Sequence, residues 1–282
     1  MRQHHYLALG PAGFHRVAYT EWGARDNPDV LVCVHGLTRN GRDFDTIATA
    51  LADRYRVVCP DIVGRGRSDW HADKAHYDYA NYVSDMAALL AHLDTDRVDW
   101  LGTSMGGLIG LLLAATPNTP IRRLVLNDVG PHLPLAALER IGGYVGLDLA
   151  FDTFDEASSY MRAIQAGWGA LSDAQWRHLA EHGTRRDSDG RWRLGHDPGI
   201  AAAFATVQED VELWPVWHAV RCPVLLLRGQ ESDVLLPEAV ERMRAEGPPL
   251  DVVEWPGVGH APALMDPAQI DAVRDWLVAT RS

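Results

Sequence analysis

Lysine is nearly missing from this chain. Lys74 is its one lysine, and arginine supplies the rest of the 26 basic residues, which reads as a compositional bias rather than a function. Positive charge is short overall: 38 acidic residues leave a net charge of -12, which disfavours nucleic acid and anionic membrane surfaces as partners. Cysteine is scarce too. Cys33, Cys59 and Cys222 are an odd, scattered set in or beside strand-like runs, so a disulfide framework is excluded and buried free thiols in a reducing, cytoplasmic compartment are expected. Long apolar runs are lacking, since the longest near-continuous one, residues 106–115, is too short to span a bilayer. The first six residues, Met1 to Tyr6, show no apolar core of a signal peptide. There are no repeats, low-complexity tracts or long charge blocks. What remains is an ordinary globular composition of 282 residues, enough for one large domain or a domain carrying an insertion.

Strand-like and helix-like runs alternate, the pattern of a mostly parallel α/β sheet with helices on both faces. Residues 15–22, 30–35, 55–59, 97–101, 121–126, 224–227 and 251–255 read as strands; 44–52, 79–93, 107–115, 237–245 and 267–279 read as helices. Tyr82, Met86, Leu89, Leu90 and Leu93 share one helical face. Between residues 130 and 217 the rhythm breaks. That stretch is too long for a structureless connection, so the expected organisation is a core of 1–130 and 218–282 with a helical cap inserted at 131–217.

Gly102-Thr103-Ser104-Met105-Gly106 sits between the strand at 97–101 and the apolar helix at 107–115. A G-x-S-x-G in that setting is a nucleophile elbow, a strained turn that lifts a serine hydroxyl clear of the sheet. Side chains at Gly102 and Gly106 would collide where the turn is tightest. A serine needs a base, an orienting acid and donors for a developing oxyanion. His260, in the Gly-rich loop Trp255-Pro256-Gly257-Val258-Gly259-His260 after the last strand, is the expected base. Asp233, in the polar turn after strand 224–227, is the expected acid; Asp128, following strand 121–126, and Glu231 compete with it. Backbone amides of Met105, at a helix start, and Leu37, after the His35-Gly36 turn, are the expected oxyanion donors. His35 reads as structural, bonding its loop in place.

In their order along the chain, His35-Gly36, Asp61-Ile62-Val63-Gly64-Arg65-Gly66-Arg67-Ser68, the Ser104 elbow, the Asp233 turn and Gly259-His260 resemble the α/β-hydrolase family over essentially the whole length. The resemblance implies an eight-stranded sheet with one antiparallel strand and a helical cap. It also implies that the Asp61–Ser68 loop is a structural turn beside the crevice. Serine at the elbow argues against the family's dehalogenases and epoxide hydrolases, which use aspartate there. Carbon–carbon hydrolases of the family usually carry tryptophan after the triad histidine, where this chain has Ala261-Pro262.

His178-Leu179-Ala180-Glu181-His182 matches H-x-x-E-H, a zinc-protease pattern, but a zinc there would leave the triad unexplained, so it reads as a solvated helix face and no metal is expected. Trp168, Trp192 and Trp214 are candidates for substrate contact, the remaining tryptophans of the cap serving as core. The expected activity is cofactor-free hydrolysis of a small carboxylic ester or lactone, with apolar or aromatic groups, through an acyl-enzyme. A carbon–carbon hydrolase of ring-cleavage dienoates is the alternative chemistry, and a non-catalytic small-molecule binder the alternative class. Monomer and homo-oligomer are both open.

Overall fold

A computed structural model describes residues 1–279 of the chain. Its main sheet begins with strands β1 (Arg2–Gly10), β2 (Gly13–Trp22), β3 (Val30–Val34), β4 (Arg56–Pro60), β5 (Val98–Thr103) and β6 (Ile121–Asn127). Helices α1 (Asp45–Leu51), α2 (Tyr79–His92) and α3 (Met105–Ala114) fall between them. After β6 the chain leaves the sheet through β7 (His132–Leu133), α4 (Leu135–Val145), β8 (Ala150–Phe151), α5 (Phe154–Ile164), α6 (Asp173–Gly183), β9 (Thr184–Arg186), β10 (Trp192–Leu194), β11 (Val211–Glu212) and α7 (Trp214–Ala219). It returns with β12 (Val224–Gly229), α8 (Pro237–Glu246), β13 (Leu250–Trp255) and α9 (Pro267–Ala279).

The eight strands run in the order β1-β2-β4-β3-β5-β6-β12-β13. β2 pairs antiparallel with both neighbours and every later pairing is parallel, so one strand opposes the rest. The β1 strand was not visible as an apolar run, because only Tyr6 and Ala8 of it are buried while Leu7 and Leu9 face out.

Alternation along each central strand divides the core in two. Val30, Val32, Val34, Trp100, Leu124 and Leu226 face one way, onto Met86 and Leu89 of α2, Leu108 and Leu111 of α3 and Met243 of α8. Leu31, Cys33, Leu101, Val125, Leu225 and Leu227 face the other, onto Ile47 and Leu51 of α1 and Val273 and Leu277 of α9. Each such side chain removed from water contributes about 1.5–3 kcal/mol, which fixes register and layer order. The three cysteines are free thiols.

The excursion between β6 and β12, expected from sequence to be helical, also contains strands. β8, β10 and β9 form a three-stranded sheet, and β7 pairs with β11 to close the neck where the segment leaves and rejoins the core. These strands are two or three residues long, too short to carry a legible alternation. Capping boxes fix the starts of α5 and α6, with Thr153 and Ser172 receiving the N3 amides and Glu156 and Gln175 reaching back.

Candidate active site

Ser104 stands between β5 and α3 with φ 51° and ψ -115°, a backbone conformation that a non-glycine residue holds only under surrounding constraint. That constraint is visible in the flanking glycines. A Cβ at Gly102 would lie 2.2 Å from the Gly106 carbonyl oxygen, and one at Gly106 would lie 2.0 Å from that of Val34. The amide of Ser104 donates to Asn127 O at 3.0 Å, which ties the elbow to the end of β6.

His260 Nε2 lies 2.8 Å from Ser104 Oγ. Its other nitrogen does not meet Asp233. Nδ1 lies 2.7 Å from Asp128 Oδ2, and the carboxylate, an obligatory acceptor, sets Nδ1 as the protonated nitrogen. Asp128 is fully buried at φ 57° directly after β6. Its Oδ1 accepts from Gly229 N–H at 2.9 Å and its Oδ2 from Ser232 O–H at 2.5 Å, so three donors face the carboxylate. Asp233 is instead half-exposed and forked by Arg140 of α4, at 2.5 Å to Nε and 2.9 Å to Nη2. Glu231 is exposed, its backbone amide bonded to Val258 O.

The reason for the correction lies in the sheet order. β6 sits between β5 and β12, so the loop leaving β6 is adjacent to the elbow, and a left-handed residue there turns its carboxylate under His260. Asp128 carried a usable signal, an acidic residue immediately after a buried strand.

His35 is fully buried; Nδ1–H donates to Gly36 O at 2.7 Å and Nε2 accepts from Ile62 N–H at 2.9 Å. Burial, reinforced by the nearby Arg65 and Arg39 charges, drives its pKa down to about 3, so it is neutral and holds the loop. The loop passes close to the nucleophile, since a Cβ at Gly36 would be 3.7 Å from Ser104 Cβ. Asp61 shapes the next turn by accepting from Gly41 N–H and Arg67 N–H, while Ser68 O–H closes on the Asp61 carbonyl. From the same turn Arg65, fully buried, donates to Leu37 O at 2.8 Å and approaches Met105 Sδ at 3.5 Å, bracing both residues proposed from sequence to supply oxyanion donors.

Gly36, Leu37, Ser104 and His260 open into a narrow cavity of about 80 Å³. The excursion supplies the facing wall through Arg140, Ile141, Tyr144, Ile164, Gln165 and Trp168. Of the three tryptophans singled out, Trp168 lines the cavity. Trp192, in the small outer sheet, meets Phe154 of α5 edge-to-face, and Trp214 is buried under Arg242 at the neck, so neither reaches it.

His178 and His182 are not on a solvated face. Both turn toward α1, where their ligand atoms and a carboxylate oxygen of Asp45 lie within 4.8 Å of one another. Asp45 there already receives Arg42 through Nε and Nη2, a cation competing for the same carboxylate.

Residues 31–273 match the alpha/beta hydrolase family. The chain belongs to that family. This α/β-hydrolase is 51% identical over 271 residues to the 3-hydroxybutyrate-oligomer hydrolase of Cupriavidus necator, covering 93% of this chain and 92% of the relative. Its fold superposes on a hydrolase from Rickettsia typhi with TM-score 0.93 at 32% identity, over 99% of this chain and 100% of the other. An α/β-hydrolase from Novosphingobium aromaticivorans aligns with TM-score 0.86 at 35% identity, over 98% of each chain.

Proposed function

We propose that this α/β-hydrolase cleaves carboxylic esters through an acyl-enzyme on Ser104, and that its substrates are small esters between hydroxy acids. The carrying observation is the relay from Ser104 Oγ through His260 to Asp128, at 2.8 and 2.7 Å. The substrate class is supported by the likeness to the 3-hydroxybutyrate-oligomer hydrolase. In the reaction His260 Nε2 takes the Ser104 proton as Oγ bonds to the ester carbonyl carbon. The carbonyl electrons move onto oxygen, where the Leu37 and Met105 amides are the proposed donors. As the intermediate collapses, the bond to the alcohol oxygen breaks and His260 returns its proton to that oxygen. Water then attacks the acyl carbon, His260 takes its proton, and the proton passes to Ser104 as the acid leaves. Asp128 holds the Nδ1–H tautomer and stabilises the imidazolium in both halves. The 131–217 segment acts as a cap that shapes the pocket.

Residue side chains and water suffice for every step, so no cofactor is invoked. A cytoplasmic location is part of the proposal, supported by the three free thiols; among the described residues no helix is long and apolar enough to cross a membrane. The test is hydrolysis of p-nitrophenyl butyrate and of the 3-hydroxybutyrate dimer by wild type and Ser104→Ala. The variant should lose roughly 10³–10⁶-fold in kcat while keeping its circular dichroism. Near wild-type turnover would remove the mechanism.

A further inference from the structure

Among the polar side chains of the cavity wall outside the relay, two stand out. Gln165, just past α5, is 6% exposed, and its amide oxygen is buried with no hydrogen-bond partner among the described residues. Leaving such a group unpaired is unfavourable, and the missing partner is a donor. Arg140 is the second. Arg39, the other guanidinium of the wall, is already committed: it is buried, forks Asp43 at 2.8 and 2.6 Å, and lies over the Trp168 ring. Among the described residues Arg140 makes its salt bridge with Asp233, both partners being half-exposed, and also meets the Tyr144 hydroxyl. Burial works against its charge, but the Asp233 carboxylate outweighs this and keeps the guanidinium firmly protonated. The pair is half-exposed and screened by water, so a second carboxylate can approach the same guanidinium and share it with Asp233.

We infer that Arg140 and Gln165 read the two ends of a hydroxy-acid ester, Arg140 binding the free carboxylate of the alcohol part and Gln165 the hydroxyl of the acyl part. This rests on the ester-hydrolase reading above. An ester of two 3-hydroxy acids carries one donor hydroxyl on its acyl side and one anion on its alcohol side, and the wall offers one unfilled acceptor and one accessible cation. Each reading residue is also tied to the relay. Two residues past Gln165, the Gly167 carbonyl accepts from Gly259 N–H at 2.6 Å, beside His260. Asp233, which Arg140 grips, follows Ser232, whose hydroxyl holds Asp128. Both reading residues therefore stand next to the loops that carry the relay.

The experiment compares kcat/KM at pH 7 for three esters: the 3-hydroxybutyrate dimer, the dimer with its carboxylate converted to a carboxamide, and the dimer lacking the terminal hydroxyl. Wild type should prefer the dimer over the carboxamide by roughly 10- to 100-fold, and over the deoxy ester by roughly 5- to 50-fold. Arg140→Gln should erase the first preference, through loss on the dimer, and keep the second; Gln165→Leu should do the reverse. Asp233→Asn, which frees Arg140 without removing it, should keep the carboxylate preference. If Arg140 merely latched α4 to the core, Asp233→Asn would reproduce Arg140→Gln and lower all three esters together, overturning the inference. An active wild type that fails to discriminate among the esters would overturn it as well. A folded wild type inert on these esters and on p-nitrophenyl butyrate would remove the ester-hydrolase reading, and this inference with it.

Discussion

Asp128 and Asp233 leave adjacent parallel strands at the same end of one sheet, and they could hardly be treated more differently. Asp128 has no exposed side-chain surface, takes an unusual backbone conformation and faces three donors. Asp233, with its side chain 49% exposed, has an ordinary backbone and, among the described residues, pairs with Arg140 of α4. Position after a strand puts a carboxylate at the crevice; what makes it a partner for a histidine is enclosure, because a low-dielectric pocket strengthens the bond and fixes its direction.

The largest separation between the two should appear in activity. Asp128→Asn should reduce kcat on p-nitrophenyl butyrate by roughly 10³–10⁴-fold, since an amide in that place favours the wrong imidazole tautomer. Asp233→Asn should stay within a few-fold. Equal losses would mean that the acid role is shared between the loops, and the reverse order would return it to Asp233. Stability should separate them next. Asp128→Ala strands the Gly229 amide and the Ser232 hydroxyl in the interior, at a cost of about 1–3 kcal/mol in urea unfolding. Asp233→Ala breaks a half-exposed pair, and its cost should be under about 1 kcal/mol.

Sealed groups also respond to acid differently from open ones. His35 takes a proton near 6.5 when unfolded but only at about 3 in its buried site. Between those values the unfolded chain binds more protons, so this contribution is complete above pH 6.5 and is lost as pH falls. It should appear as a slope of about 1.4 kcal/mol per pH unit below 6. His35→Gln, which cannot titrate, should flatten the unfolding free energy against pH by that amount. An unchanged slope would show that His35 takes up its proton without unfolding.

Much of this molecule was legible in the sequence because the sheet is built from apolar strands whose alternate residues meet two helical layers. The elbow was legible because its glycines are required by contacts of about 2 Å. β1 was not, since only two of its side chains are buried, and neither were the short strands between β6 and β12. The choice between Asp128 and Asp233 depended on which strand lies beside β5, a property of sheet order rather than of local pattern. Trp192 and Trp214 failed for a related reason: aromatic residues mark packing, and Trp214, buried, and Trp192, half-buried, pack against the protein itself rather than against a ligand.

The smallest expected effect gives the closest comparison, because it sets Ser232 against its neighbour Asp233. The Ser232 hydroxyl donates to Asp128 Oδ2 and accepts from the amides of Val234 and Leu235, both at 3.2 Å. Ser232→Ala therefore removes one of three donors from the carboxylate without touching His260 or Ser104. On p-nitrophenyl butyrate kcat should fall by roughly 3- to 10-fold, because the loosened carboxylate steers His260 less well. Asp233→Asn, one residue further on, should lower it less. A larger loss with Asp233→Asn than with Ser232→Ala would mean that the exposed acid, through Arg140, governs the histidine from outside the pocket.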